Sequence, residues 1–358
     1  MSITETSLLQ KLLTSLGGGQ VSDLHLRAGS PPVVRQDGEL QVLSDEPIVT
    51  PDFLDAALQL LLTPEAREVL DHQRQITVGF TYANRLRLRV GVFYQRGIPE
   101  IAIRFISTSV RTLAELGLPP VFERMAITVR QGLVLIGGPF GSGRTTTIAS
   151  FLQTINRSRT AHVVSIEEPI EYELNSAQSI IDQREIGTDV LSWEEALANL
   201  LAEDIDVLAL GRLPSPAVAE TAVNQALAGR LVIAGLEAES APRAVEQLVA
   251  SAVSANQEAF RQALADALQL VSVQRLVPRV GGGRLLVSEV LVATPAVRAV
   301  IREGKFYQLR TLMQTSRDEG MTSFDHALAQ LVKTGEVMHE VATRYVQDSE
   351  VFESLVRR

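Results

Sequence analysis

Leu8, Leu9, Leu12, Leu13 and Leu16 recur at helical spacing and predict an opening amphipathic helix, stopped by Gly17-Gly18-Gly19. Two strand segments follow, Asp23–Leu26 and Pro32–Leu43, the second broken by the hairpin signal Asp37-Gly38. A single helix is predicted near Phe53–Leu70. Strict alternation then sets in. Ile76, Val78, Phe80 and Tyr82 alternate with smaller residues, and Leu86, Leu88 and Val90 alternate with Arg85, Arg87 and Arg89. Ile101 and Ile103 flank Ala102, with Arg104 next. Period two means strands with one apolar face, and in the second case one arginine face.

The segment Ser107 to Pro120, with Gly117 and Pro119-Pro120, reads as a connection. Beyond Gly132 the pattern changes to short unbroken apolar runs, Leu133–Ile136, Val163–Ile166, Val207–Leu210 and Leu231–Ile233. Most are separated by helical stretches of a dozen or more residues. Such runs are buried on both faces, so a largely parallel sheet covered by helices is expected. After Thr294 the chain reads as mostly helix. The domains expected are therefore 1–108 (mixed α/β), 109–120 (linker), 121–293 (parallel α/β) and 294–358 (helical extension). Apolar residues at helical spacing in the tail from Phe324 to Val346 (Leu328, Leu331, Val332) either dock a partner or pack on their own domain.

Composition narrows the field. The 358 residues suffice for two domains, and 46% hydrophobic with 21% charged is an ordinary globular balance. No apolar run reaches the roughly 18 residues of a membrane span. The start lacks the features of a signal peptide, so a cytoplasmic address is expected. A net charge of -9 disfavours broad binding to nucleic acid or anionic lipid. Cysteine is absent, which excludes disulfides, thiol catalysis and thiolate metal sites. Only three lysines (Lys11, Lys305, Lys333) stand among 33 basic residues, a bias that a GC-rich genome would explain.

Gly138-Pro-Phe-Gly141-Ser142-Gly143-Arg144-Thr145 follows one apolar run and precedes the helical stretch from Thr146 to Leu152. A phosphate loop needs Gly, four residues, Gly, Lys and Ser or Thr between a strand and a helix; everything fits except Arg144. Glycines let backbone N–H groups converge on a phosphate, the helix N-terminus adds positive potential, and Thr145 can reach Mg²⁺. Arginine copies lysine poorly here, because its guanidinium is longer, planar and forked. Genome bias is the bland explanation, but a working loop should resist that exchange.

The chain resembles the PilT-like ATPases, hexameric motors of type IV pilus retraction within the secretion ATPase superfamily. Ser22-Asp-Leu-His-Leu26, Gly29-Ser-Pro-Pro32, Arg35-Gln-Asp-Gly38, Gln183-Arg-Glu-Ile-Gly187, Leu201-Ala-Glu-Asp-Ile-Asp-Val207 and Pro295-Ala-Val-Arg-Ala-Val-Ile-Arg-Glu303 carry the resemblance. Assembly motors of the superfamily usually hold a four-cysteine zinc site, so retraction-type ancestry is favoured. The resemblance implies a PAS-like N-terminal α/β domain, a RecA-like P-loop ATPase domain with a helical C-terminal extension, and a ring of six. Gly138, Gly141, Ser142, Gly143, Arg144, Thr145 and Thr146 would bind ATP, with Thr145 on Mg²⁺. Arg89 and Arg104 would be arginine fingers, or else part of a solvated sheet face; the solvated reading is preferred for Arg85 and Arg87. His25 and Trp193 are expected to be structural.

Four substitutions depart from the family pattern. The acidic box Glu-Asp-Pro is here Glu167-Glu168-Pro169, the Walker B ending Gly-Glu is Gly211-Arg212, and two histidines align with Arg230 and Glu237. Loss of a positioned water-orienting group costs about 10²–10⁴ in rate, and Arg212 would also repel a metal. All are expected in one cleft beside Arg144, with ion pairs partly standing in for Mg²⁺ and nucleotide. A neighbouring carboxylate, Asp204 or Asp206, could replace the lost one. Three functions follow: an accessory or regulatory subunit that hydrolyses ATP slowly or not at all, alone as a hexamer or mixed with an active paralogue, at the pilus inner-membrane platform protein; an active retraction ATPase; or a nucleotide-independent scaffold.

Overall fold

A computed structural model describes residues 3–17, 21–36, 38–83, 86–106, 110–200, 203–252 and 257–357. Gly18, Gly19, Asp37, Arg85, Ser107, Leu201 and Ala202, which belong to the sequence patterns above, lie outside them. Contacts divide the chain into two units: residues 1–109 with Pro169–Glu173, and residues 110–168 with 174–358.

The first unit runs α1 (Ile3–Leu16), β1 (Val21–Leu26), β2 (Val33–Gln36), β3 (Glu39–Val42), α2 (Pro51–Leu61), α3 (Pro64–Gln73), β4 (Gln75–Tyr82), β5 (Leu86–Gln95) and β6 (Ile98–Ile106). Its sheet is antiparallel in the order β3-β2-β1-β6-β5-β4. Leu9, Leu12 and Leu13 of α1 share a core with Leu54 and Leu58 of α2 and with Leu88, Val90 and Ile103 of the sheet, as the alternation requires. The single helix expected near Phe53–Leu70 is two helices. Thr63 accepts a hydrogen bond from the Ala66 N–H and Pro64 occupies the first helical position, so a new helix starts there.

The second unit continues with α4 (Val121–Thr128), β7 (Gly132–Gly137), α5 (Arg144–Ser158), β8 (His162–Glu167), β9 (Ile180–Glu185), α6 (Trp193–Asn199), β10 (Val207–Leu210), α7 (Pro216–Leu227), β11 (Leu231–Leu236), α8 (Ala241–Ala250) and α9 (Gln257–Ala267). It closes with β12 (Leu268–Pro278), β13 (Arg284–Val292), α10 (Pro295–Glu303), α11 (Leu309–Thr315), α12 (Phe324–Lys333), α13 (His339–Ala342) and α14 (Ser349–Arg357). The sheet order is β13-β12-β7-β11-β10-β8-β9, parallel except for the β12–β13 edge pair. All residues of β7, β10 and β11 are buried. Leu133, Leu208 and Val232 face one apolar cluster, while Val134, Val207 and Ile233 face the other. That double coverage is why these strands read as unbroken apolar runs.

The tail packs on its own unit. Phe324 and Leu328 of α12 and Phe352 of α14 are buried with Val277 and Val287 of the edge hairpin. Among the described residues no helix is long and apolar enough to cross a membrane.

Candidate functional site

The connection from β7 to α5 has the backbone that its glycines permit. Gly138, Gly141 and Gly143 have φ of +147°, +75° and +88°, a region closed to most L-residues. A Cβ at Gly138 would sit 2.5 Å from the Gln274 carbonyl oxygen. Gly143 caps α5 in the left-handed conformation, leaving the first-turn N–H groups of Arg144, Thr145 and Thr146 outside the helical ladder. Thr145 and Thr146 are half-buried at this end. Ser142 is almost wholly buried, and its Oγ has no hydrogen-bond partner. This cradle fits an anionic group of phosphate size, because first-turn N–H groups and the helix dipole converge at the N-terminus of α5.

The parallel strands bring further charges to the same edge. β7, β11, β10 and β8 are in register and end at Gly137, Leu236, Leu210 and Glu167. Residues just past those ends therefore face one another. Arg144 forms an ion pair with Glu237 at 3.6 Å. Arg212 donates to Glu168 Oε2 at 2.5 Å, and Trp193 Nε1 donates to the same oxygen at 2.9 Å. The Arg212 guanidinium also lies over the Trp193 ring, 6.0 Å from its centroid. Glu167 accepts from Ser165 Oγ at 2.8 Å and from Gln183 Nε2 at 3.1 Å. Gly235 permits the close approach of β11 to the chain leaving β10, since a Cβ on it would collide with the Gly211 oxygen.

Two expectations are corrected. Arg230 precedes β11 at its other end, six residues of strand or roughly 20 Å from Glu237. There it donates to Gln225 Oε1 near the end of α7 and approaches the Leu200 and Glu203 carbonyls after α6, rather than lining the cleft. Asp206, considered as a substitute acid, accepts from the His162 N–H at the N-terminal edge of β8 and β10. Asp204, through its carbonyl, meets His162 Nδ1 at that edge too. The four-residue length of β10, roughly 13 Å, separates them from Arg212.

The Arg212–Glu168 pair is also not buried, the two side chains being 55% and 39% exposed. A pair so wet contributes about 0–1 kcal/mol. Arg212→Ala should therefore leave the melting temperature of the ligand-free protein within a few degrees of the parent, as differential scanning fluorimetry would record.

In the first unit, Arg87, Arg89 and Arg104 are half-buried, and each is paired rather than solvated. Arg87 donates to the Ile170 carbonyl at 3.1 Å and lies 3.4 Å from Glu173. Arg89 pairs with Glu171 at 3.1 Å, and Arg104 with Asp23 at 2.8 Å. Burial alone would raise the Asp23 pKa, but hydrogen bonds from Arg104 and Ser22 hold it below the usual carboxylate value. His25 joins no group of three metal-ligating side chains among the described residues.

Sequence reasoning missed Gln274, which lies on β12, a strand it did not anticipate. The fully buried amide reaches both Ser142 and Thr147. Beside the loop lies an open cavity of about 830 Å³. Phe140, Arg243, Arg275, Arg284, Arg344 and Tyr345 are among its walls.

The sequence matches the profile of the family described as type II/IV secretion system protein over residues 7–344. It is 33% identical to the type IV pilus retraction ATPase PilT of Pseudomonas aeruginosa over 331 residues, 92% of this chain and 96% of that protein. Identity to the type IV pilus ATPase PilU of the same organism is also 33%, over 346 residues, 96% of this chain and 89% of that one. A crystal structure of the pilus retraction motor PilT with bound ADP superposes with a TM-score of 0.85 at 34% identity, covering 99% of each chain.

Proposed function

We propose, from the premise that this chain belongs to the type II/IV secretion system protein family, that it is a PilT-like pilus-motor subunit that binds ATP but splits it very slowly or not at all. Its place would be that of an accessory or regulatory partner to an active motor. It would act in the cytoplasm at the membrane's inner face, in a six-membered ring of its own or one shared with an active paralogue. A pilus inner-membrane platform protein would be its contact there.

The observation that carries this reading is Arg212 on Glu168. Phosphoryl transfer needs cations at the phosphates, a metal, and an acid that orients water. At the ends of β8 and β10 one of the two adjacent glutamates is instead held by a guanidinium and an indole. The cradle supports nucleotide binding: Gly138, Gly141, Ser142, Gly143, Arg144, Thr145 and Thr146 would hold the phosphates, and Thr145 would meet Mg²⁺, which neutralises phosphate charge when bound. Arg144 must share its charge between phosphate and Glu237. As arginine fingers, Arg89 and Arg104 would share their guanidinium groups with Glu171 and Asp23.

One observation favours the second reading, an active retraction ATPase. Glu167 remains, oriented by Ser165 and Gln183, as a group that could position water. Calorimetry with Mg·ATP and a phosphate-release assay separate the alternatives. ATP should bind while phosphate release stays at background. Turnover on the order of 1 s⁻¹ would establish the active enzyme, and no binding at millimolar ATP would leave a nucleotide-independent scaffold.

A further inference from the structure

The geometry points to Gln274 as a positioning residue that holds the phosphate loop in its anion-accepting shape. The inference rests on the reading that the loop receives phosphate, and it adds the side chain that prepares it.

A loop that turns its N–H groups inward must turn carbonyls outward, and those need partners in the protein. The Ser142 carbonyl, immediately before Gly143, accepts from Gln274 Nε2 at 2.9 Å. Across the same amide, Gln274 Oε1 accepts from Thr147 Oγ1 at 3.0 Å. Ser142 belongs to the loop and Thr147 to the first turns of α5, so one amide spans the loop's last bend and the helix that follows. Its orientation is unambiguous, because a carbonyl can only accept and must face the NH₂ group. Gln274 and Thr147 are both 0% exposed, so neither bond can be exchanged for one to water. The backbone of Gln274 contributes as well. Its carbonyl oxygen fills the space where a Cβ on Gly138 would fall, at 2.5 Å, so β12 walls the loop at its first glycine and ties it at its last.

Removing the amide leaves a buried carbonyl and a buried hydroxyl unpaired. The Thr147 hydroxyl can turn back to a carbonyl of its own helix, as Ser150 and Thr154 do, but the Ser142 carbonyl regains a partner only if the loop shifts. A binding-competent form populated at about one part in ten lowers apparent affinity about tenfold. The adjoining strand offers an internal control. Ser272, two residues earlier on the same face of β12, is 0% exposed with an Oγ that has no partner. Its Oγ makes no hydrogen bond to the loop, so its removal alters the same face of β12 and leaves the loop's bonds in place.

The test compares the full-length parent with Gln274→Met, Thr147→Val, the double variant and Ser272→Ala. Titration calorimetry with ATP and with inorganic tripolyphosphate is run beside ligand-free melting curves. Gln274→Met and Thr147→Val should each weaken both ligands, the former about tenfold. The double variant should be no weaker than Gln274→Met alone, because one bridge is being cut twice. Ser272→Ala should bind as the parent does. Hydrogen exchange of the amides of residues 140–143 should accelerate in Gln274→Met without ligand, which reads the loop's shape directly. Lower melting temperature with parental affinity and parental exchange would make Gln274 a core residue only and overturn the inference. A parent that binds neither ligand refutes the phosphate reading itself, and exchange rates then decide alone whether Gln274 shapes the loop.

Discussion

Arg144→Lys combined with Arg212→Glu should raise steady-state ATP hydrolysis at least about 10²-fold over the unmodified protein, measured as phosphate release with saturating Mg·ATP. The two changes act on separate obstacles. A lysine at 144 is a compact charge that can reach a phosphate without the guanidinium's fork, and three rotatable donors suit a loop built around N–H groups. It would also give up part of the present contact with Glu237 at 3.6 Å. At 212 the change removes a cation and supplies a carboxylate where β10 ends, freeing Glu168 from the 2.5 Å contact that now occupies it. Electrostatics makes the pair cooperative: a metal near phosphate gains little while a fixed positive charge stands beside it. Each single variant should therefore recover much less than the double. The expected size comes from the usual value of one positioned acid–base or water-orienting group, about 10²–10⁴ in rate. Unmodified protein already turning over at the rate of the double variant would show that Glu167 suffices and that Arg212 obstructs nothing.

Gly138→Ala should abolish measurable ATP binding, a loss of at least about 10²-fold, and should lower the melting temperature as well. Gly138 has φ +147°, and an added Cβ would collide with Ser142 Oγ and fall 2.5 Å from the Gln274 carbonyl oxygen. The backbone strain costs about 1–3 kcal/mol, and overpacking against a neighbour that cannot move adds about 1–3 kcal/mol. Relief comes only by pushing the loop off β12, which misaligns the donors. Gly141 supplies the contrast. Its φ is +75°, but no other group lies within 4 Å of the place a methyl would take. Gly141→Ala therefore carries the left-handed penalty of about 1–2 kcal/mol without the collision. Calorimetry should rank parent, Gly141→Ala and Gly138→Ala in descending affinity. Equal affinities for the two alanine variants would show that contact with β12 is unimportant.

The parallel centre of the second unit was legible because β7, β8, β10 and β11 are covered on both faces and so carry apolar runs. The phosphate loop was legible for a different reason, its glycines being spaced by backbone need rather than by packing. What escaped was polar or distant. β9 reads Ile-Ile-Asp-Gln-Arg-Glu and sits at the sheet edge, where half-exposed side chains leave no periodic signature. β12 hides because Ser272, Gln274 and Arg275 interrupt its apolar residues, although the first two are buried. Gln274 meets Ser142 and Thr147 across 132 and 127 residues of chain, a proximity that no local pattern encodes. Arg230 was assigned to the cleft by its alignment with a histidine of the family pattern, but that alignment does not say that it stands before β11 rather than after it. The break between α2 and α3 was readable in Thr63-Pro64 and was overridden by the apolar periodicity on either side.

The five residues Pro169–Glu173, which interrupt the second unit and belong to the first, bear on how such a protein can be cut or recombined. A fragment ending at residue 109 would lack the Ile170 carbonyl and the Glu171 carboxylate, leaving Arg87 and Arg89 without those anchors. Grafting the N-terminal half of a relative onto this chain at one junction would import arginines matched to someone else's peptide. Swaps between paralogues should succeed only when this short stretch travels with the N-terminal half, so inheritance of the two halves is coupled by a patch of sequence belonging to neither boundary.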